Sequence, residues 1–125
     1  KRKLHFAFVG SLIPIKGADI LIRAFRSLPS KDLRLSLYGR QDILPAYYVP
    51  DLMKLARGDA RIRFMGPFSP EHREAIYADI DLVVIPSRAP ETFSLVAREA
   101  LALGKPVIAA AITKVPVSIR SGMTS

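Results

Sequence analysis

The sequence contains no cysteine. That absence excludes a disulfide framework, a thiolate zinc site, an iron–sulfur cluster and a cysteine nucleophile. Its two histidines, His5 and His72, are too few for a multi-histidine metal site. No apolar run approaches the roughly 20 residues that cross a bilayer. The chain opens Lys1-Arg2-Lys3 and passes directly into a strand-like segment, without the apolar core and small-residue cleavage site of a signal peptide. A cytoplasmic protein is expected from this pattern.

What is present suits one globular unit. The 125 residues fit a single domain, and half of them are apolar against 24% charged. The formal net charge is +8, and it is unevenly placed. Residues 1–63 carry 13 Lys/Arg against 5 Asp/Glu, whereas residues 64–125 carry 6 of each. Such an excess suits an anionic partner, or simply forms a solvated basic face. Nucleic acid is not expected as a partner, because the chain has no basic stripe interleaved with aromatics and no zinc-finger or RNP-like spacing.

Strand and helix patterns alternate along the chain. Leu4–Val9 is a near-continuous apolar run closed by Gly10, as in a buried parallel strand. Residues 16–28 place apolar side chains on one helical face and Asp19, Arg23 and Arg26 on the other. Leu33–Tyr38 alternates and predicts a strand near the sheet edge with one more polar face. A loop over 40–50, a short helix over 51–56 and a strand over 61–65 follow. Ser69-Pro70-Glu71 is a helix start with serine as N-cap, and that helix runs to about Ala78. Residues 81–85 predict a buried strand, 93–103 a helix closed by Gly104, and 106–110 a fifth strand. The segment from 112 onward is poorly patterned. Together these predict an α/β fold, a Rossmann-like parallel sheet with helices on both faces.

In such sheets ligands bind at the carboxyl ends of the strands. The first of these loops, Gly10–Gly17, contains neither G-x-G-x-x-G nor a P-loop, which argues against a dehydrogenase and a P-loop NTPase. It does place Lys16 at a helix start, where an ammonium and helix amides together hold a phosphate, or where a solvated lysine merely opens the helix. Glu91 and Glu99 form an E-x7-E spacing after the fourth strand. The helix around Glu99 is apolar almost all round and predicts burial, so its carboxylate needs a partner. Ribose hydroxyls fit that need, and so does an internal salt bridge to Arg88 or Arg98. The amides of Phe93, Ser94 and Leu95 at the same helix start form a diphosphate site.

Pro86-Ser87, Glu91-Thr92-Phe93-Ser94, Glu99-Ala100-Leu101-Ala102 and Gly104-Lys105-Pro106-Val107-Ile108 closely resemble the donor-binding half of GT-B-fold retaining glycosyltransferases of family 4, glycosyltransferase group 1. Phe8-Val9-Gly10, Lys16-Gly17, Arg61–Phe68 and Ala78–Ser87 resemble the same family in order and spacing. The resemblance covers most of residues 4–110 and implies a role for each matching position. Lys16 would hold the donor diphosphate beside Gly10 and Ser11, and Glu91 would contact the transferred sugar. The Phe93, Ser94 and Leu95 amides would cap diphosphate and sugar. Glu99 would hold the ribose, while Gly39 and Phe68 lie near the base. The donor substrate would be a nucleotide-diphosphate sugar, with no separate cofactor and no metal.

Three departures stand out. Ser11 occupies a position where the family usually has arginine, and losing such a charge-assisted hydrogen bond weakens leaving-group stabilisation by roughly 1.5–3 kcal/mol. Ser94 replaces a usual glycine, and residues 112–116 replace a glycine-rich turn. The resemblance further implies the C-terminal half of a two-domain enzyme, excised or truncated, whose N-terminal acceptor-binding domain lies outside these residues. The isolated chain is then expected to be inactive. Peripheral contact of the full enzyme with the cytoplasmic membrane is expected from Arg23, Arg26, Lys31 and Arg34. The alternative is a non-catalytic interaction module of the same fold that binds an anionic membrane or an acidic partner.

Overall fold

The computed structural model describes residues 2–89, 94–109 and, for the backbone alone, 120–121. Strand β1 (Leu4–Val9) leads through a 3-10 turn (Pro14–Lys16) into α1 (Ala18–Arg26). Strand β2 (Leu33–Tyr38), helix α2 (Tyr48–Ala56) and strand β3 (Ile62–Phe64) follow. A second 3-10 turn (Pro70–His72) runs into α3 (Arg73–Ala78), then β4 (Leu82–Ile85), α4 (Leu95–Ala102), β5 (Val107–Ala109) and β6 (Arg120–Ser121). The sheet order is β3-β2-β1-β4-β5-β6. The first five strands are parallel, with Leu4 opposite Leu33 and Val83 opposite Val107, and β6 is antiparallel to β5. The parallel α/β architecture is therefore as expected. The chain winds outward from β1 in one direction, then returns to β4 and winds outward in the other. The switch point lies between β1 and β4.

Each face of the sheet carries its own core. Phe8, Leu35 and Leu37 pack with Leu21, Ile22 and Phe25 of α1 and Leu52 of α2. Ala7, Val83, Ile85 and Val107 pack on the other face with Tyr77 of α3 and Ala100 of α4. This two-sided burial explains the unbroken apolar run of β1. In α1 the buried Ala18, Leu21, Ile22 and Phe25 fall at helical spacing, as the pattern predicts.

Several local expectations are corrected. Asp19 lies not on the exposed face of α1 but buried at 9% exposure. Strand β2 does lie beside the edge strand, yet its Ser36 is buried, with its hydroxyl 2.7 Å from His5 Nε2. Helix α2 begins at Tyr48 and takes in Pro50, which needs no N–H in a first turn. Ser69 precedes its 3-10 turn but makes no side-chain cap bond, its hydroxyl lying 2.9 Å from His72 Nδ1 instead. Among the described residues of α4, only Ala100 is buried, while Leu95 is 65% exposed and Leu101 48%. The expectation of a largely buried helix fails because α4 touches the sheet along one narrow line.

Much of the basic excess is engaged within the fold. Arg26 donates to the carbonyls of Leu55 and Arg57, and Arg34 pairs with Asp79 at 2.9 Å. Arg61 holds Asp59 and the Leu28 and Ser30 carbonyls, with its guanidinium 4.5 Å from the centre of the Phe25 ring. Arg26 and Arg61 thereby join the turns between α1, β2, α2 and β3, and Arg34 joins β2 to the turn between α3 and β4.

The sequence contains one Asp-x-Asp spacing, Asp79-Ile80-Asp81. It lies at the amino end of β4, remote from the strand ends where ligands bind. Asp81 pairs with Arg2 and accepts the His5 amide, which holds its carboxyl down at about 2. No helix among the described residues is long and apolar enough to cross a membrane.

His5 is fully buried nearby. A carbonyl can only accept, so Nδ1–H donates to Asp79 O at 2.7 Å and Nε2 accepts the Ser36 hydroxyl. Burial lowers its pKa, outweighing the bond to the Asp79 carbonyl. With Arg34, Asp79 and Asp81 as the charged neighbours, the folded chain keeps this imidazole neutral where an unfolded one takes up a proton. Stability conferred by the neutral ring is therefore present above about pH 6.5 and is lost as pH falls through that value toward the folded pKa. Urea unfolding midpoints should drop between about pH 7.5 and 5.5, and the ring should stay neutral by NMR near pH 6.5. An imidazolium signal for folded His5 at that pH would contradict the assignment.

Candidate donor site at the switch point

The carboxyl ends of β1 and β4 flank a cavity of about 340 Å³. Gly10, Ser11 and Lys16 line it from the β1 side, Ile85 from β4, and Ser94, Leu95 and Val96 from the start of α4. A second cavity, of about 280 Å³, shares Val9, Gly10 and Ser11 with the first. It continues across the ends of β2 and β3 to Tyr38, Gly39, Arg40 and Phe68. Phe68 stands edge-on to Tyr38 with ring centres 5.5 Å apart. The two cavities adjoin at Val9, Gly10 and Ser11, at the carboxyl end of β1.

Local sequence explains this shape. A Cβ on Gly39 would lie 2.1 Å from the Gly10 carbonyl oxygen, so the first two strand ends approach as closely as they do only because Gly39 has no side chain. Gly10 N–H donates to the Tyr38 carbonyl and Gly39 N–H to that of Gly66, stitching three strand ends together. The proline-initiated 3-10 turn ends in Gly17 at φ +80°, which starts α1 at once. Lys16 is thereby presented, half-buried, at the cavity wall.

Ser94 is the N-cap of α4, and its hydroxyl accepts the Ala97 N–H at 3.1 Å. The hydroxyl thus works within the helix, a bond worth about 1 kcal/mol, in place of the freedom a glycine gives. Arg98 N–H bonds the Ser94 carbonyl. Leu95 and Val96, in the first turn of α4, line the cavity, and a first helical turn leaves its N–H groups without intrahelical partners.

Glu99 lies elsewhere. It lines a separate crevice of about 480 Å³ between α3 and α4, with Arg73 and Glu71. Its carboxylate is partly exposed and pairs with Arg73 Nη2 at 3.5 Å, a distance that leaves acceptor capacity unused. The partner comes from α3, and the expected bridge to Arg88 does not form, because Arg88 is held by Asp19. Beside it Tyr77 is fully buried, and its hydroxyl has no partner among the described residues. Burial, then the Glu99 charge, push that phenol up to about 12.

Of the expected site residues, Gly10, Ser11, Lys16, Ser94 and Leu95 line one cavity, and Gly39 and Phe68 line its extension. Glu99 stands apart, and Glu91 and Phe93 lie outside the described residues, as does the 112–116 segment. Arg40 in the second cavity is not among the expected site residues, nor are Asp19 and Tyr48. A carboxylate in the first turn of an otherwise apolar-striped helix was the available signal for Asp19.

Residues 3–125 match the family model of glycosyl transferases group 1. The D-inositol 3-phosphate glycosyltransferase of Mycobacterium sp. (strain KMS) is 40% identical over 126 residues, which cover 98% of this chain and 28% of that protein. The chain therefore spans little more than a quarter of the length of such relatives. Among solved structures, Anabaena HepE in complex with UDP-glucose superposes with a TM-score of 0.78 at 32% identity, covering 86% of this chain and 30% of that one. The C-terminal domain of the group 1 family protein LpcC from Francisella tularensis superposes with a TM-score of 0.68 at 26% identity, covering 87% and 58%. With its Rossmann-like sheet and its match along nearly the whole sequence, this chain belongs to the glycosyl transferases of group 1.

Proposed function

We propose that this chain forms the donor site of a retaining hexosyltransferase, binding a nucleotide-diphosphate sugar whose sugar passes to a glycan or lipid-linked acceptor. The observation that carries the reading is the cavity at the β1/β4 switch point, which Lys16 and the first residues of α4 both line. In this reading the Lys16 ammonium and the helix-start amides hold the donor diphosphate there. The extension toward Tyr38, Gly39 and Phe68 has room and apolar surface for a base. A relative of the same fold binds UDP-glucose, which supports this reading.

In this reading catalysis is electrostatic. Lys16 and the α4 amides stabilise charge gathering on the diphosphate as the glycosidic bond breaks. Glu91 contacts the sugar. The acceptor is held by a separate N-terminal domain, and the likeness to an isolated C-terminal domain supports that division. The enzyme works in the cytoplasm, with peripheral membrane contact through the exposed basic side chains of the first half. The chain by itself binds donor weakly and does not turn over.

Calorimetric titration of the chain with UDP tests the reading. Saturable binding is expected. No binding of UDP or GDP, together with salt-sensitive adsorption to anionic vesicles, would favour the interaction-module alternative.

A further inference from the structure

Arg88 leaves the end of β4 and turns back over the Lys16 turn. Its backbone N–H donates to the Ile15 carbonyl at 2.8 Å. Its Nη1 donates to the Pro14 carbonyl at 2.5 Å and to Asp19 Oδ1 at 2.8 Å, while Nη2 takes Asp19 Oδ2 at 2.5 Å. The Tyr48 hydroxyl donates to the same Oδ1 at 2.5 Å, which brings α2 into the cluster. One guanidinium therefore joins the 3-10 turn, the first turn of α1 and the segment after β4.

The contact on the other side is equally close. A Cβ on Gly17 would stand 1.8 Å from the Pro86 carbonyl oxygen. Lys16 sits between two pinned residues, Ile15 and Gly17. Attraction alone is a weak reason for such a cluster, because a buried ion pair often contributes little net stability over apolar packing. What the cluster does supply is geometry. A lysine ammonium rides on a flexible stem, so its usefulness at a phosphate depends on how firmly its backbone is placed.

We infer that Arg88, anchored on Asp19, is a positioning residue that holds the Lys16 turn against the outlet of β4 and so sets where Lys16 meets the donor diphosphate. Arg88 is not among the residues lining the two described cavities, and in this inference its effect passes through Lys16. This rests on the donor-site reading. Asp19, held down at about 2 by the Arg88 bonds and then the Tyr48 bond, stays ionised and keeps the cluster closed throughout the neutral range.

The test compares UDP with uridine, which lacks the phosphates, on the full chain and on its Arg88→Lys and Asp19→Asn variants. Lysine keeps a positive charge beside Asp19, yet one ammonium lacks the planar fork that spans both carboxylate oxygens and the Pro14 carbonyl. UDP affinity should fall about tenfold in Arg88→Lys, with uridine affinity unchanged and the circular dichroism spectrum of the fold retained. Asp19→Asn should reproduce that selective loss. Unaltered UDP affinity in Arg88→Lys would overturn the inference, and so would equal losses for UDP and uridine, which mark general damage. Failure of the unsubstituted chain to bind UDP is a separate result: it removes the donor-site reading, and the inference with it.

Discussion

Gly17→Ala is expected to be the most damaging single-methyl change in this chain. The residue adopts φ +80°, where a Cβ costs about 1–2 kcal/mol. The added carbon would also meet the Pro86 carbonyl oxygen at 1.8 Å, and a backbone oxygen in a strand outlet has little room to yield. Forcing the two segments apart adds about 1–3 kcal/mol, as overpacking does in cores. A total loss of about 2–5 kcal/mol follows, a large part of the stability of a small domain. Urea unfolding followed by circular dichroism reads it directly. Any remaining folded protein should also bind UDP poorly, because Lys16 is the adjacent residue. A midpoint matching that of the unsubstituted chain would mean that the 3-10 turn does not press on β4 as described.

Lys16→Ala is expected to leave the fold intact and to remove most of the affinity for UDP. Lys16 is half-buried and belongs to neither core, so its truncation opens no cavity in either. The lost interaction is a charge-assisted hydrogen bond to phosphate, worth about 1.5–3 kcal/mol, or roughly a ten- to hundredfold rise in Kd. The effect is sharpened because Ser11 stands where a second cation would otherwise share the diphosphate. Uridine binding should be unaffected, since the nucleoside lies toward Gly39 and Phe68 in this reading. Equal UDP affinity in Lys16→Ala and the unsubstituted chain would remove Lys16 from the site.

These predictions share a physical basis in the close approach of loops over the sheet. The Gly10–Gly39 contact draws the ends of β1 and β2 together, and the Gly17–Pro86 contact draws the Lys16 turn onto β4. Both bring backbone, the stiffest part of the chain, into van der Waals contact. The polar cluster around Asp19 then completes what the glycines permit.

Strand and helix periodicity made the parallel α/β fold legible from residues alone, because burial on both faces of a sheet leaves unbroken apolar runs such as Leu4–Val9. Glycine and proline marked most element ends for an equally local reason, namely their restricted or extended backbone freedom. The strand-end rule singles out the loop from Gly10 to Lys16 and the segment ending at Ser94, helix-start amides add Leu95, and the family resemblance gives Gly10 and Ser11 their place beside the diphosphate. Pairings between side chains distant in sequence were not legible. Asp19 reads as a surface residue on a helical wheel, yet Arg88, 69 residues away, draws it inward. Glu99 is met by Arg73 because α3 and α4 border the same crevice, a proximity that no spacing encodes. Helical periodicity reports which face of an element avoids water, and so it located the core. Which charges meet inside is a matter of how whole elements are stacked, and only the tertiary structure decided it.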